Sequence, residues 1–160
     1  PESKFNMLRV GLLLYGVYPS DKVPRSIPVK SVMDFKGTVV EIRKIDAGVP
    51  VSYGGIWTSK KDTHIGVVQS GFADGVPRPW FENGTVGYRG RRYPLAGRIC
   101  MDQLTVDFGN DDIAIGDEVL FWGEDHGIQI SIEEISKDIL STPYVIFTGL
   151  SKRVKRIPVS

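Results

Sequence analysis

Arg9 interrupts an apolar run, residues 8–16, that reads Leu-Arg-Val-Gly-Leu-Leu-Leu-Tyr-Gly. A guanidinium in a buried strand is costly unless paired, so it calls either for a structural salt bridge or for a ligand at the strand's end. Gly11, two positions on and on the same side, would let backbone N–H groups approach such a ligand closely. Tyr53 lies between Ser52 and Gly54-Gly55, a setting that suits a packed aromatic or a phenol held at a fixed point on a loop. A phenol acts as a base only where a cation or hydrogen-bond donors favour its ionised form, and the adjoining sequence supplies none. Within residues 97–103, Gly-Arg-Ile-Cys-Met-Asp-Gln, a basic residue, a thiol, a thioether and a carboxylate share seven positions. Cys100 near that carboxylate could be a nucleophile. Neither His64 nor His126 is tied to it by a motif, however, so a buried inert thiol is the plainer reading. Gly71-Phe72-Ala73-Asp74-Gly75 is by itself a strand ending in an Asp-Gly turn, while Lys152-Arg153-Val154-Lys155-Arg156 reads as a solvated edge rather than a phosphate site.

The elements that must position these residues follow from periodicity. Residues 8–16 suit a strand buried on both faces, as in a parallel sheet. Residues 17–28 carry Pro19, Pro24 and Pro28 and form a linker, with a boundary near residue 25. Stretches rich in Val, Ile, Thr and aromatics then follow at 29–45, 49–53, 64–70, 85–88, 92–96, 99–108 and 117–122. Turn signals at Asp74-Gly75, Asn83-Gly84, Arg89-Gly90 and Gly116-Asp117 separate several of them, as in a β-barrel or sandwich. Ser131-Ile132-Glu133-Glu134 has capping-box spacing and predicts a helix from Ile132 to about Leu140. Thr142-Pro143 starts a second short helix, and residues 152–159 alternate like an exposed closing strand. The fold class expected is mainly β, a barrel of Greek-key type with two short helices near its end.

The 160 residues suit one domain that buries most of its core without disulfides or a metal. Twenty Lys and Arg against nineteen Asp and Glu leave a net charge of +1, which attracts neither nucleic acid nor a membrane surface. A single cysteine and two distant histidines exclude a disulfide framework and predict no metal site. A reducing cytoplasm is the simplest setting. No apolar run reaches the roughly 20 residues of a membrane helix. The opening Pro1-Glu2-Ser3-Lys4 is no signal peptide, and the early dense apolar segment reads like a piece of a longer protein.

Taken jointly, these segments resemble the alanine racemases in order, spacing and content. The elements are Arg9-Val10-Gly11-Leu12 through Tyr15-Gly16, then Ser52-Tyr53-Gly54, Gly71-Phe72-Ala73-Asp74-Gly75-Val76-Pro77-Arg78 and residues 97–103. Gly116-Asp117-Glu118-Val119, Tyr144 and Arg153-Val154-Lys155-Arg156 complete the series. The resemblance implies a pyridoxal-phosphate-dependent homodimer with active sites shared between subunits. An amino-terminal (β/α)₈ barrel holds the cofactor, and a carboxy-terminal β domain reaches the partner's site. A barrel needs roughly 250 residues, so the cofactor-bearing lysine and the barrel arginine that meets the substrate carboxylate would lie outside this chain. Residues 1–25 would then be the last barrel strand and linker, and residues 26–160 the β domain.

By the same resemblance Arg9 faces the pyridine nitrogen of the cofactor, Gly11 and Leu12 offer backbone donors to its phosphate, and Tyr144 offers a phenol to that phosphate. Tyr53 is the second base, opposite the lysine, in the interconversion of L- and D-alanine that supplies D-alanine for peptidoglycan. Met101 meets the substrate carboxylate through its backbone N–H, with Asp102 a further substrate contact, and Phe72, Arg78 and Arg98 lie at the entrance. Phe72 departs from the family, in which this position is usually tyrosine, so preference for alanine over serine or a basic amino acid is open. A stand-alone β-barrel binding module is the reading from another class, and a buried strand carrying Arg9 would have no use in one.

Overall fold

The computed structural model describes residues 6–159, so Pro1-Glu2-Ser3-Lys4 lies outside the described residues. Eleven elements follow in chain order: β1 (Phe35–Ile45), β2 (Pro50–Val51), β3 (Trp57–Thr58), β4 (Thr63–Val68), β5 (Thr85–Tyr88), β6 (Arg91–Pro94), β7 (Leu104–Gly109), β8 (Glu118–Asp125), β9 (Ile128–Ile130), α1 (Ile132–Asp138) and α2 (Pro143–Gly149). All the pairings are antiparallel, and the main sheet runs β6-β5-β8-β1-β4-β7, with β9 added to β8. An isolated bridge from Leu95, just beyond β6, to Val106 of β7 joins the two ends of that order and closes the sheet into a barrel. Closure leaves no long open edge. The fold is mainly β with two short helices near its end, as the strand and turn signals predict.

Alternation selects the barrel interior. Along β7, Leu104, Val106 and Phe108 are buried while Thr105 and Asp107 are half-buried between them. They meet Val39, Val68, Val119 and Phe121 from the neighbouring strands in one core. Each fully buried Leu or Phe contributes roughly 1.5–3 kcal/mol, whereas an exposed ion pair contributes about 0–1 kcal/mol. The barrel therefore stands on its apolar lining, not on its surface charges. The chain bends within β1, where the pairing with β4 shifts register between Val39 and Glu41, a bulge of the kind that lets a strand serve a closed sheet.

Ser131 caps α1 as the capping-box spacing predicts, its hydroxyl accepting the Glu134 N–H at 3.1 Å. The helix stops at Asp138. Pro143 opens α2, where its missing N–H costs no hydrogen bond.

Four expectations need correction. Residues 8–16 form no strand: Gly11–Tyr15 is a 3₁₀ turn, Leu8 and Leu14 are exposed, and Arg9 is exposed rather than buried. A parallel strand takes its backbone partners from flanking strands, and no strand of residues 6–159 flanks this segment. It bonds locally instead, with Gly16 N–H donating to the Leu13 carbonyl at 3.1 Å. Residues 152–159 also form no strand, because the barrel closes through β6 and β7 without them. The strand expected at 99–108 begins only at Leu104, leaving 97–103 as a loop, and β1 begins at Phe35 rather than residue 29. The short strands β3 and β9 were not expected at all, being too brief to carry a periodic signal. No helix among the described residues is long and apolar enough to cross a membrane.

Candidate active-site surface

Three loops meet on one side of the barrel. After β2, Ser52 adopts φ 65°, in the left-handed region that a non-glycine residue occupies only under constraint. Its hydroxyl donates to the Arg98 carbonyl at 2.9 Å, tying this loop to residues 97–103. The turn that follows, Tyr53–Gly55, leaves Tyr53 73% exposed. A phenol so placed is not a packed aromatic, the commonest use of a tyrosine. It faces outward, with the barrel as its support.

The second junction joins residues 71–75 to residues 97–103. The Phe72 N–H donates to the Cys100 carbonyl at 3.0 Å and the Ala73 N–H to the Met101 carbonyl at 2.9 Å. Gly71 makes this docking possible, since a Cβ there would overlap both carbonyls. Asp74 closes its own turn by accepting the Gly71 N–H at 2.9 Å. The Cys100 N–H donates to the Gln103 carbonyl at 2.9 Å, so Met101 and Asp102 form the tip of a tight loop. Both tip residues are exposed. Among the described residues no acceptor lies on the Met101 N–H, although its carbonyl is engaged.

Arg78 and Arg98 line one concavity together with Phe81, Asp138 and Leu140. Their guanidinium groups lie over aromatic rings, Arg78 5.6 Å from the Phe72 centroid and Arg98 5.9 Å from that of Phe81. Cation–π contacts of this kind hold a positive charge in place without neutralising it.

The cofactor candidates gather elsewhere, beside α2. Gly11, at φ +64°, sits so close to Tyr144 that a Cβ on it would lie 3.7 Å from the phenol oxygen. Tyr15 packs on Phe147 of α2 with ring centroids 5.2 Å apart, and Leu12 is buried beneath. Gly11, Leu12 and Tyr144 thus come together although more than 130 residues separate them in sequence. A side-chain-free backbone facing a phenol suits an anionic group such as a phosphate. Arg9 is exposed two residues before Gly11 and has no carboxylate partner among the described residues, so the structural salt bridge considered for it is absent.

The sequence reading missed one residue here. Arg153 lies in the segment expected to be a solvated strand, yet its side chain contacts Asp102 at 2.7 Å and Asp74 at 3.3 Å. Its place in the Arg153-Val154-Lys155-Arg156 series was the available signal. Cys100 is half-buried, and among the described residues the Arg98 carbonyl is the one hydrogen-bond partner of its sulfur and neither histidine bonds to it. The described residues hold no cluster of three metal-ligating side chains.

Known proteins resemble this chain along nearly its whole length. The family "Alanine racemase, C-terminal domain" matches residues 32–158. The alanine racemase of Desulfosudis oleivorans is 40% identical over 159 residues, covering 98% of this chain and 41% of that protein. The chain spans about two fifths of the length of the curated relatives it matches. Among solved structures, alanine racemase from the D-cycloserine producer Streptomyces lavendulae superposes with a TM-score of 0.87 at 32% identity, over 94% of this chain and 40% of that one. The Bartonella henselae alanine racemase with covalently bound pyridoxal phosphate superposes at 0.81 and 35% identity, over 92% and 40%. The chain belongs to the alanine racemase family, as the carboxy-terminal domain of that architecture.

Proposed function

We propose that this chain is the β domain of an enzyme that interconverts L- and D-alanine, and that it presents Tyr53 and Met101 to the active site of a partner subunit in a homodimer. The carrying observation is the junction of the Ser52-Tyr53-Gly54 loop with the 97–103 loop, which exposes a phenol and an unengaged backbone donor on one side of a rigid barrel. Racemisation requires an acid–base group on each face of the α-carbon. Tyr53 Oη supplies one face, taking the α-proton from L-alanine or returning it to that face. The lysine of an amino-terminal barrel supplies the other. The Met101 N–H binds the substrate carboxylate and fixes which face meets Tyr53, with Asp102 beside it.

Gly11, Leu12 and Tyr144 fit the phosphate end of pyridoxal phosphate, the group that the Bartonella henselae relative carries. When bound, that cofactor supplies an electron sink for the charge left on the α-carbon. Arg9 would hold its ring nitrogen. A guanidinium stays protonated and donates to that nitrogen instead of letting it take a proton, which restrains the sink and disfavours side reactions. Arg78, Arg98 and Phe72 guard the entrance. The product D-alanine serves peptidoglycan synthesis in the cytoplasm.

The test joins this chain to its amino-terminal barrel and follows conversion of each alanine enantiomer by chiral chromatography. Racemisation with alanine as the preferred substrate is the expected result. Phe72 favours one second reading, since a wall without a hydroxyl changes what the entrance admits. Faster turnover of serine or lysine than of alanine would establish that reading and overturn the alanine preference.

A further inference from the structure

Asp102 and Asp74 belong to different loops, and one side chain spans them. Arg153 Nη2 lies 2.7 Å from Asp102 Oδ1, and Arg153 Nε lies 3.3 Å from Asp74 Oδ1. Asp74 is the better-anchored partner: its side chain is 13% exposed, and its second oxygen accepts the Gly71 N–H. Arg153 is itself held from behind. Its N–H donates to Ser151 Oγ at 3.2 Å, and the Ser151 N–H donates to the Asp74 carbonyl at 3.2 Å.

Met101 is consequently fixed on three sides. The Phe72 N–H holds the carbonyl before it, the Ala73 N–H holds its own carbonyl, and Arg153 holds the side chain of the residue after it. Only its N–H is left for a ligand. The Arg153 side chain is 54% exposed and that of Asp102 57%, so as a stabiliser of the fold this pair contributes little. Its consequence is orientation. Without the guanidinium, Asp102 loses its tether, the loop tip is held only by the Phe72 and Ala73 N–H groups on the carbonyls of Cys100 and Met101, and the aim of the Met101 N–H spreads over more directions.

We propose that Arg153 is a positioning residue for substrate binding, clamping Asp102 to Asp74 so that the Met101 N–H stays directed at the substrate carboxylate. This rests on the role given to Met101 above. The residue acts through the loop and does not touch the substrate. A lysine cannot replace it, because a single ammonium lacks the planar fork that reaches two carboxylates at once.

The experiment uses the full-length dimeric enzyme. For wild type, Arg153→Ala and Arg153→Lys, it measures kcat and KM for alanine, the inhibition constant of propionate and the melting temperature. Propionate keeps the carboxylate and lacks the amine, so it reports on carboxylate recognition alone. Both variants are expected to raise KM and the propionate constant together, by roughly twofold to fivefold, with kcat within about twofold and the melting temperature nearly unchanged. Unchanged KM and propionate constants, or a loss confined to kcat, would overturn the proposal while leaving the racemase reading intact. An inactive wild-type enzyme would instead defeat that reading. Should Arg153→Ala fail to fold, Asp74→Asn is the substitute, since its amide oxygen still accepts the Gly71 N–H while the charge facing Arg153 is gone. The same joint rise is expected from it, and its absence counts against the clamp. In the double variant Arg153→Ala/Asp74→Asn the two effects should not multiply, whereas independent effects would.

Discussion

Tyr53 carries the sharpest prediction at the scale of a residue. Tyr53→Phe in the full-length enzyme keeps the ring and removes its one proton-carrying atom, so a loss of about 10²- to 10⁴-fold in rate is expected for a positioned acid–base group. The forward and reverse kcat/KM must still balance at equilibrium, so the asymmetry between faces has to be sought in isotope effects. With α-deuterated L-alanine and D-alanine measured separately, the variant's primary isotope effect should rise chiefly for the L isomer. Near-normal turnover with unchanged isotope effects would leave Tyr53 without an acid–base role. A second residue-scale prediction concerns Tyr88, whose hydroxyl donates to Asp117 Oδ2 at 2.6 Å. Burial first, and then this hydrogen bond to Asp117, push its pKa from 10.0 up to about 12. A group whose folded pKa is raised contributes stability that is complete below the unfolded value and lost as pH climbs to the folded one. Melting temperature should therefore fall between about pH 10 and pH 12. Tyr88→Phe should lessen that fall, and an identical alkaline limb in the variant would refute the assignment. Asp117 shifts the other way: the Tyr88 hydroxyl, then the Ala114 N–H, hold its carboxyl below the usual range. Its contribution is present above the unfolded carboxylate pKa of about 4 and is lost as pH falls through the lower folded value.

At the scale of elements, short pieces of structure matter through what they hold in register. Ser131→Ala removes the acceptor for the Glu134 N–H at the start of α1. It should cost about 1 kcal/mol, read as a drop of roughly 2–4 °C in melting temperature. No measurable drop would mean that water replaces the cap without loss. Gly71→Ala tests the docking of the 71–75 turn onto the 97–103 loop, since the added methyl would overlap the Cys100 and Met101 carbonyls. Overpacking of this kind costs roughly 1–3 kcal/mol. Here it should also raise KM for alanine in the full-length enzyme, because the backbone displaced is that of Met101. A variant that loses stability but keeps its KM would show that the loop's aim is independent of this junction.

For the whole molecule, the chain holds one complete β-barrel, and the residues proposed to hold a phosphate lie beside α2. Gly11 and Tyr144 come together beside α2, while Leu8 and Leu14 remain exposed. Incubated alone with pyridoxal phosphate and then reduced with borohydride, the chain should yield no stoichiometric lysine adduct, as mass spectrometry of the intact chain would show. One fully modified lysine within it would overturn that expectation and move the cofactor's attachment into this domain.

Periodicity and turn chemistry made the barrel legible because they act over short range. Inward alternation in β7, the Arg89-Gly90 hairpin between β5 and β6, and the Ser131 cap are each encoded within a few residues. The spelling of their segments was enough to single out Tyr53 and Gly11, whereas Met101 and Tyr144 were marked only by the resemblance to the alanine racemases. Residues 8–16 and 152–159 were misread for a common reason: an apolar or alternating stretch becomes a strand only when another strand supplies its backbone partners. Tertiary structure alone decided that supply: the Leu95 to Val106 bridge completed the barrel without residues 152–159, and no strand of residues 6–159 flanks residues 8–16. It also decided that Arg153, read as a solvated charge, stands between Asp102 and Asp74. Such a pairing joins positions up to about eighty residues apart, and it depends on where the barrel carries each loop, which no local pattern encodes.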